Sequence, residues 1–585
     1  MNLKDYPPLF VAIGYDNVYD DFDEVNPLKL LEGIPTSAIL RFVADRYASI
    51  FYAQSDIRTQ RQHIREFCPY LPKKERQRVW NFIKHTEETG NHVFLYGSTG
   101  CLMLYRLALQ SFTDSTPNEY EGICDDEYKS LFKAVLYCNK MWTDQQVKDK
   151  GLSLRDISLT LDIPLVEGKQ YKDFRPQLYK SYQFFTFCEN DATFRKYLPF
   201  FMQDRSVNNW GDYLILLFGI YTKSITQKKL PLGNAYEQKF YSQFVINPED
   251  KELKTIWDDG NKGIGYMRDH FLFKMSDASY LLLDANLLLD KLYQGLKFDL
   301  YNSVERHGLL NEKNKPYRDR GVFNSTLGKV FSEHHLLHIL LKKTYSGGNC
   351  VGFSGNELND KGIKDGEPDY YLRIGNAVYL FEYKDVLYKD EVRYSGDADK
   401  MGKLIRERIC IDDGEHREGG GQLLYNIDRI LNQGLLNDID AGTKNINQIF
   451  PIIVTTDRAF SALGVNNVVI EAFDEIRRRK YKFNQDVMIY VPIIINLDSL
   501  IMLSYRLHTA KLQLGSLLID YIKHNKGNIS SFDNYVFDNC KETERERSEA
   551  LEFLFTGLVN RMAQLIEGNG GTGTCSTRTR NWNPQ

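Results

Sequence analysis

Three runs in the second half of the chain are apolar without alternation: Ala377-Val378-Tyr379-Leu380-Phe381, Ile449-Phe450-Pro451-Ile452-Ile453-Val454 and Val487-Met488-Ile489-Tyr490-Val491-Pro492-Ile493-Ile494-Ile495. A strand with one wet face alternates apolar with polar residues, so strands of this kind must be covered on both faces. Helical patterns lie between and around them, at Leu327 to Lys343, Gly421 to Asn432 and Val468 to Lys480. Strands of this type alternating with helices specify an α/β domain, a sheet with helices against both sides.

The rest of the chain reads differently. With 585 residues it exceeds a comfortable single core, so several domains are expected. Ser37 to Gln54 places apolar residues three and four apart behind Ser37, a suitable N-cap. Tyr128 to Met141, Phe184 to Phe201 and Trp210 to Thr222 repeat that spacing, and Tyr280 to Tyr301 shows it most strongly. The expected organisation is a mainly helical region over 1–315, an α/β domain over 316–505, a helical extension over 506–567 and a disordered tail over 568–585. That tail, rich in glycine and polar residues, cannot build a core alone.

Several function classes fall away on composition. A formal net charge of −4 provides no global attraction for nucleic acid, so any such site must be a local basic patch. The nine cysteines are odd in number and contain no C-x-x-C, which argues against a disulfide framework or a zinc ribbon and for a reducing cytoplasm. The N-terminus has no signal-peptide pattern. The longest apolar stretch, Tyr213 to Tyr221, falls far short of the roughly 20 residues that span a bilayer. His92 to Gly100 has the look of a phosphate loop but lacks its lysine and glycine spacing, so it reads as a turn before a helix.

Chemistry concentrates at Gly366-Glu367-Pro368-Asp369 and at Glu382-Tyr383-Lys384, which closes the first apolar run. Gly375-Asn376 supplies a hairpin turn between them, and pairing Leu372 with Leu380 and Arg373 with Tyr379 brings Asp369 level with the Glu382 end. Val378, Leu380, Glu382 and Lys384 then share one face. Buried carboxylates and lysines are costly unless paired or metal-bound. Asp369 and Glu382 can hold one Mg²⁺ (or Mn²⁺) through oxygen, water completing the shell, while Lys384 orients a nucleophilic water or stabilises developing charge.

These residues resemble the Pro-Asp…(Asp/Glu)-x-Lys signature of the PD-(D/E)XK nuclease superfamily. The resemblance covers about 320 to 505 and implies a restriction-endonuclease-like core, a mixed sheet flanked by helices. Leu327-Gly328-Lys329-Val330-Phe331-Ser332-Glu333 is similar to that superfamily's first core helix, which implies Glu333 as a further metal ligand. Gly421-Gln422-Leu423-Leu424-Tyr425 resembles the helix whose glutamine approaches the site, which implies Gln422. Tyr425 departs from the usual spacing by one residue.

The resemblance implies a Mg²⁺-dependent nuclease acting on DNA rather than RNA, of the kind found in bacterial anti-phage defence or restriction. The region 1–315 would then serve sensing, substrate selection or oligomerisation, with a homo-oligomer or a partner subunit as the assembly and restraint of the nuclease as one role. The rivals are a nuclease fold retained only for nucleic-acid or protein binding, and an RNA nuclease.

Other groups have plainer readings. His334, His335 and His338 lack a carboxylate or cysteine partner and read as surface or core histidines. Arg477-Arg478-Arg479-Lys480 suits phosphate but equally suits a helix C-terminus. Arg393, Lys400, Lys403, Arg406 and Arg408 follow the motif and are better placed for a substrate backbone.

Overall fold

The computed structural model describes residues 8–52, 57–110, 112, 123–144, 153–169, 172–227, 230–254, 262–275, 277–347, 350–364, 367–483, 486–525 and 529–568. The expected disordered tail therefore lies outside the described residues, apart from Gly568, which ends the helix Leu558–Gly568. Among the described residues no helix is long and apolar enough to cross a membrane.

The α/β expectation holds. Six strands form one mixed sheet: β1 (Cys350–Ser354), β2 (Tyr370–Ile374), β3 (Ala377–Lys384), β4 (Gln448–Thr455), β5 (Met488–Ile489) and β6 (Ile493–Asn496). Their order is β5/β6–β4–β3–β2–β1, with β1–β2 and β2–β3 antiparallel and β3–β4, β4–β5 and β4–β6 parallel. The carboxylate-bearing β3 is thus central, hydrogen-bonded along both edges.

Alternation along β3 and β4 divides two cores. Tyr379, Phe381, Tyr383, Phe450, Ile452 and Val454 face one, which is continuous with residues such as Phe184, Tyr293 and Leu296 of the region before residue 315. Val378, Leu380, Ile449 and Ile453 face the other, beneath α1 (Ala398–Ile409), α2 (Gly420–Gln433) and α3 (Val465–Lys480). Leu159 and Ile163 join this second core from the helix Leu154–Lys169. The first face is covered by the stretch Gly328–Leu337 and by the helix Leu514–His524, where a Cβ on Gly515 would meet Tyr379 and Phe450. Helices before residue 315 join the same core behind them, with Phe184 and Phe187 packed on Phe331.

Several expectations need correction. The hairpin turns at Gly375-Asn376, with Gly375 at φ +59°, but pairs Tyr371 with Leu380, Leu372 with Tyr379 and Arg373 with Val378. The expected pairs were displaced by one residue, because the two-residue turn closes on Ile374 and Ala377. The run 487–495 is two strands: from Ile449 to Ile452 the partner advances three residues while this chain advances four, a bulge at Tyr490 to Pro492, where Pro492 has no N–H for the ladder.

The run 280–301 is a strand (Tyr280–Leu282) and two helices (Ala285–Asp290 and Gln294–Arg306). The Asp284 carboxylate caps the first helix and prevents an earlier start. The run 184–201 breaks where Asp191 accepts the amides of Thr193 and Phe194 at 2.8 and 2.9 Å. Helix Thr36–Tyr52 already contains Ser37, which is no cap. The polar stretch after the motif contains α1 and a hairpin of Cys410–Asp412 with Arg417–Gly419.

Candidate active site

The β2–β3 pairing carries Tyr370 opposite Phe381, so Asp369 lies one step beyond, beside Glu382. Its Oδ2 accepts the Tyr383 amide at 2.7 Å, tying the residue before β2 to the end of β3. Glu382 is 1% exposed. Its Oε1 lies 3.0 Å from Lys384 Nζ, as expected for neighbours two apart on one strand face, and its buried Oε2 has no hydrogen-bond partner. Lys384 bridges further to the Glu418 carboxylate.

Glu333 arrives from the other side. Helix Arg320–Leu327 continues through a π-helical stretch, Gly328–Leu337, into His338–Thr344. π-Helical turns widen the backbone and occur most often at functional sites. Phe331, Leu336 and Leu337 anchor this stretch in the core, while Glu333 is only partly buried and feels the charges of Asp369 and Lys384.

Electrostatics follow from this crowding. Burial, and then Asp369, push the Glu382 carboxyl well above the usual range against the pull of Lys384. Burial pushes Asp369 up to about 6, with Lys384 and the Tyr383 amide opposing it. Glu333 is pushed up to about 8 by burial and Asp369. Burial pulls Lys384 down, but Glu382, Glu418 and Asp369 outweigh it and hold the ammonium well above its ordinary value. Three acids raised around one retained cation mark a place where further positive charge would be stabilising.

An oxygen-only set with an orphaned carboxylate oxygen fits a hard divalent cation such as Mg²⁺. Asp369 and Glu382 are the two carboxylates the hairpin itself sets side by side. Among the described residues no three His, Cys, Asp or Glu side chains are gathered as a ready metal-binding group, so the fit is to two carboxylates with water as the remaining ligands.

Gln422 opens α2 near the rim, where its Nε2 donates to the Glu367 carbonyl at a long 3.5 Å. The Glu367 carboxylate accepts from Asn359 Nδ2 at 2.6 Å, and Gly366 lies outside the described residues. Glu418 was not anticipated. Its signal was the glycine run that follows: a Cβ on Gly419 or Gly421 would lie 1.9 or 2.0 Å from the carbonyl oxygen of Ile409 or Ile411. Those glycines let α2 start against the 410–419 hairpin, which presents Glu418 to Lys384.

The remaining groups sort into structural roles. Arg393, placed earlier with the substrate-facing residues, is 4% exposed and ion-paired with Asp457 at 3.0 Å, so it is unavailable to substrate without disrupting that pair. Arg406 pairs with Glu475 at 2.8 Å, whereas Lys400 and Lys403 are exposed beside acids of their own helix. Of the basic run at the end of α3, Lys480 pairs with Asp412 and Arg479 donates to the Asp412 carbonyl. His335 packs against Phe187 and Phe331, and burial lowers it to about 4.

A serine–histidine–glutamate alignment also occurs, with Ser49 Oγ 2.7 Å from His63 Nε2 and His63 Nδ1 3.2 Å from Glu66. Ser49 sits in the last turn of the helix Thr36–Tyr52 with its hydroxyl also on the Arg46 carbonyl at 2.7 Å, and His63 is 6% exposed, so the arrangement satisfies a buried histidine.

No protein-family model, curated protein or solved structure matches the chain.

Proposed function

We propose that the chain is a Mg²⁺-dependent nuclease of the PD-(D/E)XK type, hydrolysing phosphodiester bonds of DNA in preference to RNA. The observation that carries this reading is the partnerless Glu382 Oε2, buried beside Asp369 and Lys384 at the end of a central strand. A bound Mg²⁺ would supply Lewis-acid activation of water and neutralisation of phosphate charge. Asp369 and Glu382 would hold it, with Glu333 able to join once its proton is lost. The Lys384 ammonium, oriented by Glu382 and Glu418, is the donor available to position water or stabilise charge growing on phosphorus-bound oxygen. Gln422, at the rim, is placed to touch substrate rather than the reacting atoms. A role in bacterial antiviral defence or restriction, with a nucleic-acid substrate and a homo-oligomer or partner subunit, follows from the resemblance of the motif.

Supercoiled plasmid and labelled RNA, incubated with Mg²⁺ or Mn²⁺ against EDTA, test the reading. Metal-dependent cleavage by the wild type and its loss in Asp369→Ala and Lys384→Ala are expected. Cleavage that persists in both variants refutes it. A second reading, a nuclease fold retained for binding, draws on Lys384 being engaged by two carboxylates. It predicts nucleic-acid binding that is indifferent to metal and unaccompanied by cleavage.

A further inference from the structure

Asp385 follows Lys384 directly and, with its side chain 6% exposed, turns to the sheet face opposite Glu382. Its Oδ2 accepts from Ser332 Oγ at 2.7 Å and its Oδ1 from Thr456 Oγ1 at 2.7 Å. Lys297 Nζ, 5% exposed on the helix Gln294–Arg306, donates to both oxygens at 3.1 Å. Three of these four residues adjoin the candidate site. Ser332 precedes Glu333, Asp385 follows Lys384, and Thr456 follows Thr455, which pairs with Lys384 in the sheet. Lys297 is the group among these four that comes from the mainly helical region before residue 315.

We infer that Lys297 is a positioning residue for the nuclease site. The Lys297 ammonium holds the Asp385 carboxylate ionised and in place, where its bond from Ser332 ties the end of β3 to the π-helical stretch carrying Glu333, and so sets the spacing between Glu333 and the Asp369/Glu382 pair. The reason lies in the geometry: one buried carboxylate with both oxygens engaged joins three backbone segments, and, among the described residues, the cation paired with it comes from the mainly helical region 1–315. Loss of that cation leaves Asp385 buried and uncompensated, and the junction must open towards water or proton. Through this contact the conformation of the helix Gln294–Arg306 bears on metal binding, giving the region before residue 315 a direct hold on activity. The inference rests on the nuclease reading of the site.

The test measures Mn²⁺ affinity of the full chain by calorimetry, alongside thermal unfolding in EDTA. Lys297→Met is the main variant. Ser332→Ala, which removes one bond and no charge, decides the matter if Lys297→Met does not fold. Arg373→Met is the control, since it breaks the Arg373–Asp440 pair at the turn end of the same hairpin, remote from Glu382. Lys297→Met is expected to weaken Mn²⁺ binding by about tenfold or more, the scale seen when outer partners of metal ligands are removed. Ser332→Ala should shift it in the same direction, while Arg373→Met lowers the unfolding temperature and leaves Mn²⁺ affinity at the wild-type value. Affinities of Lys297→Met and Ser332→Ala that stay at the wild-type value, with only stability reduced, overturn the inference and leave the nuclease reading standing. A wild type that neither binds Mn²⁺ nor cleaves nucleic acid overturns that reading, and the inference with it.

Discussion

Replacing Asp369 by asparagine should stabilise the metal-free protein while abolishing its response to metal. Burial pushes the carboxyl from its ordinary 3.8 up to about 6. The folded state therefore holds a proton more tightly than the unfolded state. The sign follows: this group's contribution to stability is fully present below pH 3.8, is lost as pH rises to about 6, and stays lost above. A displacement of that size corresponds to about 3 kcal/mol at pH 7.5. Asparagine is a permanent neutral mimic, and its amide oxygen can still accept the Tyr383 amide that now reaches Oδ2 at 2.7 Å. Allowing about 1 kcal/mol for a weaker bond leaves a gain of about 2 kcal/mol. For 585 residues unfolding as one unit, the unfolding entropy is about 1.2 kcal/mol per kelvin, so the gain appears as roughly 2 °C.

The assay is thermal unfolding of both proteins in EDTA at pH 5 and 7.5, repeated at pH 7.5 with saturating Mg²⁺. At pH 5 only about half of the penalty has developed, so after the same allowance of about 1 kcal/mol the advantage of Asp369→Asn should shrink to about a third. Metal at a hundred times its dissociation constant should add about 2.7 kcal/mol to the wild type, again roughly 2 °C, and little to the variant. A variant less stable than wild type at pH 7.5 in EDTA, by the same margin at pH 5, refutes the claim that Asp369 is held at an electrostatic cost. Equal stabilisation of both proteins by Mg²⁺ refutes its role as ligand.

Other expectations follow from the same geometry. Lys384→Met removes the cation between Glu382 and Glu418 and should cost about 3–5 kcal/mol, as when one partner of a buried pair is lost, with nicking of plasmid reduced at least a hundredfold. Gly421→Ala drives a Cβ to 2.0 Å from the Ile411 carbonyl oxygen and should exceed the about 1–3 kcal/mol of ordinary overpacking, read as a fall in denaturation midpoint. Expression of residues 316–585 alone should yield aggregating protein by light scattering, because Phe331 loses Phe184, Phe187 and Tyr293, which pack against it, and Asp385 loses Lys297.

How much of this was legible depended on whether a residue's partner lay within one local element. Asp369, Glu382 and Lys384 are joined by a single hairpin, so turn chemistry and strand alternation sufficed to place them together. A one-residue error in the assumed register did not disturb this, because Asp369 lies just beyond the last ladder pair rather than within it. Gln422 and Glu418 sit on elements separated from β3 by polar sequence that carries no strand signal. Only the glycine run 419–421 betrayed the close approach there, and its meaning needed the carbonyls of Ile409 and Ile411. Lys297 was invisible for a stronger reason. In sequence it was one more polar position in a helical pattern, 88 residues from the aspartate it neutralises. The same holds for the covering face as a whole: unalternating strands demanded cover without naming it, and part of it came from the helix Leu514–His524 and, behind Phe331, from Phe184 and Phe187, all in stretches read as separate regions. A boundary drawn from changes in pattern marks where local periodicity switches, whereas the core is defined by which apolar faces meet. Here the two criteria part at residue 315, and the Lys297–Asp385 pair lies across that divide.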